Sequence, residues 1–166
     1  MSDVQTLRSR TITWEDPTSA VQLGRTISGV EYLKAMQSGE LPAPPIAVLL
    51  GMWISEVSEG RVVFAMEASE YHYNPLGTVH GGVMATLLDS AMGCAVQSTL
   101  PAGTSYTTLE LKVNYLRPVT SKTGIVYCEG KIIYVGGRIA TAEGRLVDAD
   151  GKLYAHGTTT CIVFRP

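Results

Sequence analysis

Residues 81–99 read as one helix of about five turns that is apolar on nearly every side. Val83, Met84, Leu87, Leu88, Ala91, Met92, Ala95 and Val96 leave no polar stripe wide enough to face water. A helix of this kind is buried inside a domain, so the rest of the chain must cover it. The cover follows directly. Four long β segments at 105–116, 124–135, 138–148 and 152–164 are separated by Arg117-Pro118-Val119-Thr120-Ser121, Gly136-Gly137 and Asp148-Ala149-Asp150-Gly151. The last two separators are short-hairpin signals. Upstream, residues 52–57 and 61–68 alternate and flank Ser58-Glu59-Gly60, a further hairpin turn. Gly82, Ala85, Ser90, Ala91, Gly93 and Ala95 keep the helix thin enough for strands to approach it closely.

The order is helix, two strands, long apolar helix, four strands, which is an α+β layer solution. We expect an antiparallel sheet wrapped around one central helix. Its open edges need covering, and pairing with the edge of a second copy would do this. The first 45 residues read differently, as an N-terminal helical segment that wraps residues 46–166. Ser28 and Glu31 form a capping box before Val30, Tyr32, Leu33 and Met36, and Gly39 stops that helix. Pro45 starts a short apolar turn that ends at Leu50.

The 166 residues suit one domain. A hydrophobic share of 45% and a charged share of 17% exclude a disordered chain. With a net charge of -2 and no basic block, nucleic acid is excluded as a partner, and any bound anion must be met by a few placed cations. Cys94, Cys128 and Cys161 are odd in number and contain no C-x-x-C pair, so they read as buried free thiols in a reducing compartment. The first ten residues lack the apolar core of a signal peptide. No run of 18 apolar residues exists to span a membrane. A soluble cytoplasmic protein is expected.

The chemistry concentrates between Asn74 and Ser90. His80-Gly81-Gly82 opens the long helix. Glycine permits close backbone approach, and first-turn amides are unpaired donors at the positive end of the helix dipole. Gly81 N–H is therefore a donor for a carbonyl oxygen gaining negative charge. Asp89 sits in the middle of the most apolar helix. Either it bonds to Ser90 or a loop amide, or it is a nucleophile or general base beside a cleft. Eight helical residues span about 12 Å. Gly81 and Asp89 of one helix thus cannot both touch one carbonyl, and a shared site would need two antiparallel helices from two subunits.

On Asn74, Gly77, His80-Gly81-Gly82, Asp89 and the later Asn114-Tyr115-Leu116-Arg117-Pro118, the sequence resembles the hotdog-fold acyl-CoA thioesterases, in particular the phenylacetate-pathway (PaaI-like) branch. The resemblance covers roughly residues 50–164. It implies a hotdog fold and hydrolysis of acyl-CoA to a free acid and CoA, without metal or prosthetic group. It implies a homodimer with composite sites, paired further into a homotetramer. The Gly81 amide would polarise the thioester, and Asp89 of the opposite subunit would act as nucleophile or general base. Asn74 and His80 would orient the carbonyl and its loop, and Thr108 would help hold the attacking water. Each has a plainer role open to it: a turn for Asn74, a helix cap for His80, a strand position for Thr108.

The phosphates of CoA need donors. Arg117, Arg138 and the bare backbone of Gly137 are the candidates, with Gly82 and Ser90 lining the substrate. Two other readings compete. An enoyl-CoA hydratase would carry Asp where His72 stands and His where Gly77 stands. A non-catalytic acyl-CoA-binding module would not need Asp89. Tyr32, Met36, Met52, Met84 and Met92 are possible liners of an acyl pocket formed by the first helix, the 42–50 segment and the far end of the central helix.

Overall fold

The computed structural model describes residues 7–166. Among the described residues three α-helices come first: α1 (Thr18–Gly24), α2 (Gly29–Ser38) and α3 (Pro45–Leu50). Then follow β1 (Met52–Ser58), β2 (Arg61–Glu67), α4 (Gly81–Gln97), β3 (Ser105–Tyr115), β4 (Ile125–Val135), β5 (Ile139–Asp148) and β6 (Leu153–Phe164). The capping box of α2 forms as expected. Ser28 accepts from the Glu31 amide, Glu31 accepts from the Ser28 amide, and Gly39 takes the left-handed conformation at the C-terminal end. Pro45 is the first residue of α3. Two expectations are corrected. The central helix ends at Gln97 rather than at residue 99, because Ser98 and Thr99 turn their hydroxyls back onto the Ala95 and Val96 carbonyls. The sequence reading also missed α1. It is seven residues long and has no side-chain cap bond to announce it.

The six strands form one antiparallel sheet in the order β1-β2-β4-β5-β6-β3. This is a hotdog fold, with the sheet wrapped around α4 and the N-terminal helices at one end. The expected hairpins join β1 to β2, β4 to β5 and β5 to β6. The 116–124 connection is a crossover. It carries the chain from edge strand β3 into the middle of the sheet, where β4 pairs with β2.

The core lies between α4 and the sheet. Leu87, Leu88, Ala91, Met92, Ala95 and Val96 have no measurable exposure. Leu33 of α2 belongs to the same cluster. A row of three buried glycines crosses the sheet under the helix: Gly130 on β4 faces Gly144 on β5, which faces Gly157 on β6. A Cβ at Gly130 would lie 2.2 Å from the Ala91 carbonyl oxygen, and one at Gly144 would lie 2.9 Å from Met92. The helix thus rests almost directly on strand backbone. That close approach requires residues without side chains.

Candidate active site

The loop before α4 is built by Asn74 and two histidines. Asn74 Oδ1 accepts from the amides of Leu76 (2.9 Å) and Thr78 (3.3 Å), and its Nδ2 donates to Thr78 Oγ1. Asn74 therefore holds the tight turn at Gly77, where φ is +78°. His72 is buried. Its Nδ1 accepts from Ser69 N, and its Nε2 donates to the Leu50 carbonyl at 2.9 Å. Burial holds its imidazole below its ordinary pKa, which keeps it neutral for both bonds. The His72 carbonyl in turn accepts the His80 amide. With His72 committed to structure and Gly77 in the other position, the hydratase pair is absent at these positions.

His80 is the N-cap of α4, and its Nδ1 accepts from the Gly82 amide at 2.8 Å. The expectation for Gly82 is thereby narrowed, since its amide is spent on the cap. Gly81 is different. Its carbonyl accepts from Tyr115 Oη at 2.9 Å, while its N–H has no hydrogen-bond partner among the described residues. Gly81 borders a shallow cavity of about 370 Å³, lined also by Asn74, Thr78, Met84, Tyr115 and Arg117. The arrangement is a spare donor at the positive end of a 17-residue helix.

Asp89 lies two turns further on and is half-buried. Its Oδ1 accepts from Thr108 Oγ1 of β3 at 2.9 Å. Neither partner expected for Asp89 is realised: it bonds a strand hydroxyl, not Ser90 or a loop amide, and the Ser90 hydroxyl is unbonded among the described residues. β3 runs antiparallel to α4, so Tyr106 meets Gly93, Thr108 meets Asp89 and Tyr115 meets Gly81. Within one chain, Gly81 and Asp89 stay apart on an unbroken helix.

The expected anion contacts divide between two ends of the molecule. Arg117 borders the Gly81 cavity and donates Nη1 to the Leu153 carbonyl at 2.6 Å. Gly137 and Arg138 lie at the opposite end. There Ile132 N bonds the Gly60 carbonyl, and the Gly60 amide bonds Ser98 beyond the end of α4. The carbonyls of Gly136 and Gly137 are taken by Arg165, and Arg138 is exposed. One chain therefore does not bring Arg138 to its own Gly81. Cys94, Cys128 and Cys161 are free thiols. Among the described residues no helix is long and apolar enough to cross a membrane.

A family model described as the thioesterase superfamily matches residues 76–155. A phenylacetic acid degradation-related protein from Ralstonia eutropha JMP134 is 33% identical, with a TM-score of 0.71; the match covers 79% of this chain and 98% of that one. Acyl-coenzyme A thioesterase 13 from Homo sapiens is 30% identical over 79 residues, or 48% of this chain and 56% of that protein. The PaaI protein of the E. coli phenylacetic acid degradation operon is 21% identical, with a TM-score of 0.71 over 84% of this chain and 96% of that one, a likeness of fold. The chain spans about half the length of the curated relatives it matches. It belongs to the thioesterase superfamily.

Proposed function

We propose that the chain is an acyl-CoA thioesterase that works as a homodimer with composite active sites. The observation that carries this reading is the Thr108–Asp89 hydrogen bond. It fixes the one carboxylate of an otherwise apolar helix, and the first turn of the same helix holds an unspent amide at Gly81. β3 is an edge strand, paired on one side with β6. Leu109 and Tyr115 on it are exposed. Pairing β3 with the same strand of a second copy covers that edge. It also sets two α4 helices antiparallel, so that Gly81 of one chain approaches Asp89 of the other.

In such a site the Gly81 amide donates to the thioester oxygen as it becomes an oxyanion. Asp89 of the other chain either attacks the carbonyl carbon, forming an anhydride that water then cleaves, or takes a proton from the attacking water. In both cases the C–S bond breaks, the thiolate of CoA leaves and is protonated, and a carboxylic acid remains. Thr108 keeps the attacking carboxylate oxygen in place, while His80 and Asn74 hold the loop that presents Gly81. The antiparallel arrangement carries Gly137 and Arg138 of one chain toward the Gly81–Arg117 end of the other, where the CoA phosphates need cations. A pair of such dimers gives the tetramer.

Thiol release from acyl-CoAs by the wild type and by Asp89→Ala, with circular dichroism on both, tests this reading. Release by the wild type and its loss in the folded variant support it. Tight binding of acyl-CoA by the wild type without any release would instead mark a binding module.

A further inference from the structure

A second and larger cavity, of about 460 Å³, lies at the far end of α4. Its walls come from α1, α2, the 43–47 stretch, β1 and β2, with Cys94 and Gln97 of α4 and Tyr106 of β3 also lining it. The lining residues include no acid, no lysine and no histidine; the single charge, Arg25, is on an exposed residue. Leu33, Met52 and Phe64 are each at most 5% exposed. Protein interiors leave few voids larger than a water molecule, and apolar cavities of this size are the size of ligand sites.

Its position links it to Asp89. Tyr106 is two residues before Thr108 and so lies on the same face of β3, with its hydroxyl against Gly93. Cys94 follows Asp89 by less than two turns. Burial pushes the Cys94 thiol up to about 12, with the Asp89 charge adding to the shift. Burial likewise raises the Tyr32 phenol. A thiol and a phenol are uncharged at neutral pH, and these shifts move both further from ionising. Of the expected liners, Tyr32, Met36 and Met52 border this cavity. Met84 and Met92 do not, because Met84 faces the Gly81 cavity and Met92 packs on Gly144.

We infer that this cavity is the acyl-chain site, and that the N-terminal helices, which lie outside the residues matched by the family model, set the length of chain it accepts. Identifying the occupant as an acyl group rests on the thioesterase reading; the apolar cavity itself does not. At about 30 Å³ per heavy atom, and allowing for unfilled corners, the space suits an uncharged chain of about eight to twelve carbons. An acetyl group leaves it nearly empty, and a sixteen-carbon chain overfills it. Tyr32 and Met36, both half-buried on α2, line the cavity and are the side chains whose size would limit the chain.

The test is kcat/KM over acetyl-, butanoyl-, octanoyl-, decanoyl- and hexadecanoyl-CoA for the wild type, Tyr32→Ala and Met36→Trp. Ala43→Leu serves as a second filling variant, at an exposed position that does not endanger the fold. The wild type should gain about fourfold per methylene up to the eight-to-twelve range and then fall. Tyr32→Ala should move the optimum at least two carbons longer, and either filling variant at least two carbons shorter. Hydrolysis with an unchanged length profile in all three folded variants would overturn the inference and leave the thioesterase reading intact. Calorimetry with the decyl and ethyl thioethers of CoA, which cannot be hydrolysed, separates the two ideas. Tighter binding of the decyl ligand, lost in Ala43→Leu, supports the cavity even if no thioester is cleaved, an outcome that would count against the thioesterase reading alone. Equal binding of the two thioethers would overturn the cavity's role.

Discussion

The first turn of α4 and its second half lie on one helix in opposite surroundings. Gly81 stands at a shallow, partly polar cavity with an amide to spare. Ala91 and Met92 press on Gly130 and Gly144 so closely that no Cβ fits between them. The difference separates two uses of glycine. At Gly81 the missing side chain leaves room for the Tyr115 ring, which comes within 3.3 Å of where a Cβ would sit and bonds the Gly81 carbonyl. At Gly130 it leaves room for the helix itself. Asp89 lies between these regimes, half-buried, and tied through Thr108 to the edge strand β3.

The largest effect should come at that boundary. Asp89→Asn should cost about 10²–10⁴-fold in kcat with an unchanged melting temperature, as read by thiol release and calorimetry. A melting temperature that falls along with activity would make Asp89 a structural residue. Gly130→Val should act in the reverse sense. With the Ala91 carbonyl 2.2 Å from the new Cβ, overpacking should cost about 3 kcal/mol, seen in urea unfolding. A near-neutral result would mean that the helix does not sit so close to the sheet.

Much of this contrast was legible in the residues. The capping box at Ser28, the Pro45 start and the Gly136-Gly137 turn are local chemistry, and each element formed where its signals stood. An all-round apolar helix had to be buried, and the β segments on either side of it pointed to a sheet as its cover. The glycine row could not be read, because Gly130, Gly144 and Gly157 become neighbours only once strand register is known. The place of β3 beside β6 was hidden for the same reason, since a crossover leaves no local mark. In the site, Asp89 stood out as a charge among apolar neighbours and Gly81 as a glycine at a helix start. The facing of Met84 and Met92 was not legible, because a helix apolar on every side does not say which residue meets which cavity.

Smaller effects refine the boundary. Thr108→Val removes a hydrogen bond to a carboxylate, worth about 1.5–3 kcal/mol, so kcat should fall roughly 10- to 100-fold. Thr108→Ser should recover most of it. Failure of serine to rescue would mean that the β-branched shape of Thr108, rather than its hydroxyl, matters. His80→Ala should be the mildest. Loss of the cap to Gly82 N should cost about 1 kcal/mol of stability and less than tenfold in kcat. A loss as deep as that of Asp89→Asn would place His80 in the chemistry.

Whether the two regions of α4 act together only across two chains is the central claim, and subunit mixing addresses it directly. Gly81→Pro removes the spare amide at a helix position that tolerates proline, and Asp89→Asn removes the carboxylate. Each variant alone should be inactive. Co-refolded in equal amounts, random pairing makes half of the dimers mixed, and each mixed dimer holds one intact composite site, so about a quarter of wild-type activity should return. No recovery from a mixture shown by mass spectrometry to contain mixed dimers would contradict the account.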